Sequence, residues 1–231
     1  MSFLPDLFAA LIFAVASVAL LELPRRKFTA KAGAPFSPRY DAWLGAGLLA
    51  IGFAVFKSGL GVDFGQALVL GLACEVLAAT LYADLRFLAI PDLYSGGLVV
   101  LALFHAWFTS SWLDALLGAL AVGVLAAAIV FGARFVKGVE GLELGDVKLA
   151  VAMGAMLGPN WGLRAAGVAV VCVGVVLGGI IFVRRSQEAA ALEAAESAGE
   201  PAPAVAAEPL EAPLGAALAL AGAAALLWAS R

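Results

Sequence analysis

The sequence predicts an all-α, polytopic membrane protein of about eight transmembrane helices with its N-terminus outside. Three observations predict it. First, 64% of the 231 residues are hydrophobic and only 13% are charged, against about 45–50% and about 25% in an ordinary soluble domain. Mean hydropathy is +1.03, more apolar surface than a soluble chain of this length can bury. Second, the apolar residues fall into separate runs of bilayer-crossing length. Third, the basic residues collect in alternate connections between those runs.

A hydrocarbon core of about 30 Å takes roughly 17–25 helical residues to cross. Runs near that length lie at 3–23, 42–56, 64–83, 93–108, 112–131, 163–183 and 214–229, and a shorter one lies at 147–157. The first run follows an acidic leading stretch, MSFLPDLF, with no A-x-A site after it, and so reads as a retained span and not as a secretory signal. Length leaves two readings for 147–157, a stubby span or a segment ending against its neighbours. Charge parity favours a span. With it, eleven basic residues (Arg25, Arg26, Lys27, Lys31, Arg39, Arg86, Arg134, Lys137, Lys148, Arg184, Arg185) share one side, and three (Lys57, Arg164, Arg231) the other. The positive-inside rule makes the first side cytoplasmic.

The chain divides accordingly. Residues 1–63 form a two-helix membrane segment around a basic cytoplasmic loop at 23–41 that carries Pro24, Pro35 and Pro38. Residues 64–185 form the membrane core. Residues 186–213, with six glutamates, four prolines and no basic residue, form an acidic Ala/Pro-rich cytoplasmic linker whose first part can extend the preceding helix. Residues 214–231 form a C-terminal transmembrane helix. Gly174 and Gly178 suit close helix contacts, and Trp107, Trp112, Trp161 and Trp228 suit interfacial anchors.

The rare residues exclude several chemistries. His105 is the one histidine, so HExxH zinc hydrolysis has no ligand set and a Ser/His mechanism has a single candidate base. Cys74 and Cys172 stand apart in apolar runs, as packing residues do. No metal and no cofactor is expected. A net charge of −3 offers nothing to nucleic acid; the expected partner is the lipid bilayer.

Carboxylates remain. Acids at membrane depth are costly and mark function by default. Glu75 lies within the third run, Asp84 closes it and Asp146 opens the sixth; parity puts both aspartates at the cytoplasmic face. Pro91 forces Ile90 out of the helical region, so a turn follows Asp84. Gly145 allows close backbone approach or a positive φ just before Asp146. Asp146 would then sit where a helix dipole favours an anion, the position of an ordinary helix cap as well as of a catalytic group.

Residues 84–92, DLRFLAIPD, followed by residues 144–158, LGDVKLAVAMGAMLG, resemble the two signature blocks of the type IV prepilin peptidases. These are bacterial membrane aspartyl proteases of the GxGD class, akin in mechanism to the archaeal preflagellin peptidases and the presenilins. The resemblance spans about residues 64–183. It implies that Asp84 and Asp146 are the catalytic pair and that Asp92, in the IPD turn, is structural. It further implies an inner-membrane location with the site facing the cytoplasm, and a prepilin or pseudopilin precursor as substrate. Such a precursor has a short basic leader that is cut from the membrane helix after a glycine. Asp84, Asp92, Glu140, Glu143 and Asp146 would attract that leader. Two departures stand out. Glu143 occupies the first glycine of the GxGD block, and the short loop after the first span lacks the paired CxxC motifs that long family members link to N-methylation. The resemblance therefore implies peptidase activity and does not extend to methyl transfer.

Two carboxylates close together at a partly dry interface share one proton. The ionised one acts as base on a water, while the protonated one polarises the scissile carbonyl and then donates to the leaving amine. Lys148 and Arg86 either moderate the local negative potential or snorkel to the interface. Glu75 is either a helix–helix hydrogen-bonding group or a third member of the site. Two other readings compete: a proton or cation transporter using Glu75, Asp84 and Asp146, and a membrane scaffold whose peptidase-like site has decayed at Glu143.

Overall fold

A computed structural model describes the backbone of residues 3–32, 38–58, 62–87, 90–135, 144–198 and 214–229. Side chains are described for 4–22, 43–58, 62–85, 90–129, 144–172, 175, 186 and 216–228. The described residues are helical, with no strand among them: α1 Phe3–Ala32, α2 Pro38–Lys57, α3 Phe64–Phe87, α4 Asp92–Thr109, α5 Trp112–Phe135, α6 Leu144–Ala198 and α7 Leu214–Ala229. Four contain stretches long and apolar enough to cross a bilayer, namely Leu4–Glu22, Phe64–Leu85, Asp92–Thr109 and Trp112–Ile129. Two shorter apolar helical stretches are Trp43–Lys57 and Ala216–Trp228.

Eight apolar runs thus fall in seven helices among the described residues, because the runs at 147–157 and 163–183 both lie in α6. Gly158 divides that helix, with φ 71° and ψ 177°, a conformation open essentially to glycine alone. Pro159 follows, at the first position of the second arm, where its missing N–H costs nothing. The break is a reversal: a Cβ added at Gly162 would stand 3.1 Å from Gly154 Cα, far closer than a straight helix brings residues eight apart. The second arm (159–198) therefore folds back along the first (144–157) and continues to Ala198, through the first part of the 186–213 stretch as its composition allows. A correction concerns the basic loop at 23–41. There α1 continues through Pro24 to Ala32, and α2 begins at Pro38. Pro24 removes one ladder donor, but the residues after it are rich in Arg, Lys and Ala, which favour helix.

Contacts between helices fix their directions. Asp6 and Lys57 pair at 2.8 Å, Phe56 meets Phe64 edge-on, a Cβ at Gly65 would collide with Phe108, and Gly158 faces Asp114. These residues define one end of the bundle. At the other end the hydroxyl of Tyr94 donates to the carbonyl of Leu20, and Ile90 lies against Gly145. Successive helices, with the two arms of α6 counted separately, therefore alternate in direction.

Burial identifies the centre. In α3, 67% of the spanning stretch is buried, against 17%, 28% and 22% in α1, α4 and α5. Along α1, Leu4, Leu7, Phe8, Leu11, Val15 and Val18 face outward, whereas Ala9, Phe13, Ser17 and Leu20 face inward. Large apolar side chains can face outward in lipid, and the polar Ser17 is kept inside. The tightest contact is glycine on glycine. A Cβ at Gly154 would come within 2.9 Å of the Gly118 carbonyl carbon and of Val122 Cβ, so α5 and the first arm of α6 touch backbone to backbone. The packing of Gly174 and Gly178 lies outside the described residues.

Candidate active site

Four chain segments converge at the Tyr94 end of the bundle. The last turn of α3 brings Asp84. The IPD turn and the start of α4 bring Ile90, Asp92 and Tyr94. The first turn of α6 brings Gly145, Asp146 and Lys148, and the first turn of α7 brings Ala216. Three contacts join them in two pairs, the IPD segment with α6 and α3 with α7. Lys148 Nζ lies 2.5 Å from Asp92 Oδ1, with both side chains more than half exposed. A Cβ at Gly145 would stand 3.4 Å from Ile90 Cβ and 3.6 Å from its carbonyl oxygen. The backbone N–H of Ala216 donates to Asp84 Oδ2 at 2.6 Å in a buried setting.

Asp84 and Asp146 are both buried, at 5% and 8% exposure. Their helices pack on two common neighbours, since α4 and α7 each touch both α3 and α6. Asp146 sits inside the first turn of α6, where the unpaired N–H groups and the helix dipole favour an anion. Two buried acids at one bundle end are groups that can carry acid–base chemistry.

The supporting residues divide. Lys148 is bound to Asp92, so the two signature blocks meet through a side-chain pair. The chief worth of that pair is geometric, since exposed ion pairs contribute about 0–1 kcal/mol. Gly145 does not have the positive φ that its type allows, because among the described residues Gly158 is the one glycine with that conformation. Gly145 serves close approach to Ile90. Glu75 is elsewhere: fully buried within α3, it accepts a hydrogen bond from Ser17 of α1. Its Oε2 has no hydrogen-bond partner among the described residues and faces Gly52, where a Cβ would stand 3.4 Å away. Glu75 is thus a link between α1 and α3 in mid-bundle, apart from the aspartates. Glu140, Glu143 and the side chain of Arg86 lie outside the described residues.

Sequence reasoning missed two features of this end. Tyr94 sits almost fully buried and ties α4 to α1; an aromatic with a hydroxyl two residues past the IPD turn was the available signal. Ala216 contributes through its backbone, and an alanine in an apolar helix carries no signal at all. Among the described residues no three His, Cys, Asp or Glu side chains cluster closely enough to hold a metal ion. No family model, no curated protein and no solved structure matches the chain.

Proposed function

We propose that the chain is a membrane aspartyl endopeptidase that removes the basic leader of type IV prepilin-like precursors at the cytoplasmic membrane face. The observation that carries this reading is the pair of buried acids, Asp84 and Asp146, at one end of the bundle on helices with shared neighbours. The order of the two signature blocks and the Lys148–Asp92 contact between them support it. Charge asymmetry supports an outside N-terminus and eight crossings, with alternating helix directions agreeing, and the family resemblance adds a bacterial inner membrane.

In this reaction Asp84 and Asp146 hold one proton jointly. The ionised carboxylate takes a proton from water as the oxygen attacks the scissile carbonyl carbon. The protonated partner donates to the carbonyl oxygen, and proton return to the leaving nitrogen breaks the C–N bond. No covalent intermediate forms. The leader's positive charge is drawn to the acids at this end over about a Debye length. The test is co-expression with a prepilin, in which Asp84→Asn and Asp146→Asn each leave the precursor uncut while the protein still inserts. Normal processing by either variant refutes the reading.

One observation favours a second reading. A fully buried carboxyl with an orphaned oxygen, Glu75, suits a proton or cation path across the bundle. Glu75→Gln separates the two: a transporter loses its flux, whereas the peptidase keeps cutting.

A further inference from the structure

The contact between α7 and Asp84 reaches beyond the signature blocks, which end before this helix begins. Asp84 Oδ2 accepts the backbone N–H of Ala216, the third residue of α7, at 2.6 Å. That N–H is one of the first-turn donors that a helix cannot satisfy from within itself, and a hydrogen bond to a carboxylate is about twice as strong as a neutral one. The same helix is fitted against the other aspartate's helix. Gly222 faces Met153 of the first arm of α6 so closely that a Cβ would stand 3.0 Å from the Met153 sulfur and nearer still to its methyl. Helix α7 packs on α3 and on α6, the two helices that carry Asp84 and Asp146.

We infer that α7 is a working part of the candidate active site, with Ala216 as a positioning residue whose backbone N–H holds the Asp84 carboxylate for reaction while α7 spaces the two aspartate helices. The inference rests on the peptidase reading. A carboxylate's side-chain bonds must be restrained for it to be held in one orientation, and a donor on a separately anchored helix contributes to that restraint. Misplacement of a reacting group by about 1 Å costs about a hundredfold in rate, so the contact acts on turnover more than on substrate binding.

The test uses the full-length protein in lipid vesicles, with a synthetic precursor that joins a basic leader, a glycine and an apolar helix. Ala216→Pro removes the donor at a helix turn that tolerates proline. Leu214→Pro, two residues earlier, removes a neighbouring N–H and leaves the Asp84 donor in place. The expected result is a fall in kcat of about 10- to 100-fold for Ala216→Pro, with KM within about threefold, and wild-type turnover for Leu214→Pro. Equal turnover by Ala216→Pro overturns the inference; so does faster turnover, which would make α7 an obstruction. Should Ala216→Pro fail to accumulate, Gly222→Leu moves the helix off its seat from a distance. Its kcat is expected to fall and to recover when Met153→Ala is added, and unchanged turnover in Gly222→Leu overturns the inference. If the wild-type protein releases no leader, the peptidase reading falls and this role falls with it. If the wild type cuts and Ala216→Pro cuts equally well, only the role of α7 falls.

Discussion

Helix α3 carries two buried carboxyl side chains, Glu75 and Asp84, separated by nine residues and so by about 13 Å along the axis. They differ in what holds them. Glu75 is fully buried, bonded side chain to side chain with Ser17, and packed where Phe13, Gly52 and Gly71 close the α1–α2–α3 contact. Asp84 is bonded to a helix N-terminus at the end of the bundle that also carries the exposed Lys148–Asp92 pair. Burial is therefore a poor guide to chemistry in a membrane protein. A mid-bundle acid bonded to a neighbouring helix joins helices, whereas Asp84 lies at the bundle end where the Lys148–Asp92 pair is exposed.

The most forceful way to break this comparison is to neutralise each acid. Asp84→Asn and Asp146→Asn are expected to reduce leader cleavage by about a hundred- to ten-thousand-fold, read as the ratio of processed to intact precursor. Glu75→Gln keeps an oxygen that accepts from Ser17, and cleavage by it is expected to stay within about threefold of wild type. A Glu75→Gln protein as inactive as Asp84→Asn would erase the distinction. Glu75→Ala leaves the Ser17 hydroxyl without this partner and is expected to lower stability by about 1 kcal/mol, measured by unfolding in mixed micelles.

Next come the glycines that set the spacing of the α6 arms. Gly158→Ala places a side chain at a φ of 71° and is expected to cost about 1–3 kcal/mol. Gly154→Ala pushes a methyl into the Gly118 backbone and Val122 and is expected to cost a similar 1–3 kcal/mol, roughly the range for overpacking. Both act on the scaffold, so residual cleavage per folded molecule should exceed that of Asp84→Asn. A glycine variant with full stability and no activity would move the site toward the Gly158 end.

How far the sequence disclosed this arrangement depends on the length scale of each feature. Helical class and apolar runs were legible because lipid imposes a simple length and composition rule. Both aspartates stood out through the blocks that hold them, DLRFLAIPD and LGDVKLAVAMGAMLG, since Asp41, Asp63 and Asp92 flank apolar runs as well. The α6 reversal was only half visible: Gly158-Pro159 is a strong local breaker, yet a local signal cannot say that the second arm folds back onto Gly154. The helical course of 24–32 was hidden by Pro24, whose local cost was outweighed by the helix formers after it. Ser17 with Glu75, and Ala216 with Asp84, are pairings between residues 58 and 132 positions apart, and an alanine N–H has no identity in a sequence.

The smallest expected effects lie in the contacts that join the two signature blocks, and they sharpen the comparison by showing what proximity alone is worth. Lys148 and Asp92 pair at 2.5 Å with both side chains largely in solvent, where Coulomb attraction is opposed by side-chain entropy and screened by salt. Lys148→Ala and Asp92→Ala are each expected to change stability by about 0–1 kcal/mol, and a double-mutant cycle should give a coupling below about 1 kcal/mol that shrinks as salt is raised. Gly145→Ala belongs with them. Its added methyl meets Ile90 at 3.4 Å, ordinary contact distance, at a φ that any residue can adopt, so helix propensity favours the alanine by up to about 1 kcal/mol. Cleavage by Gly145→Ala within a fewfold of wild type would mean that the glycine gives clearance at the turn; a loss as deep as that of Asp146→Asn would mean that substrate backbone must pass where the methyl now stands.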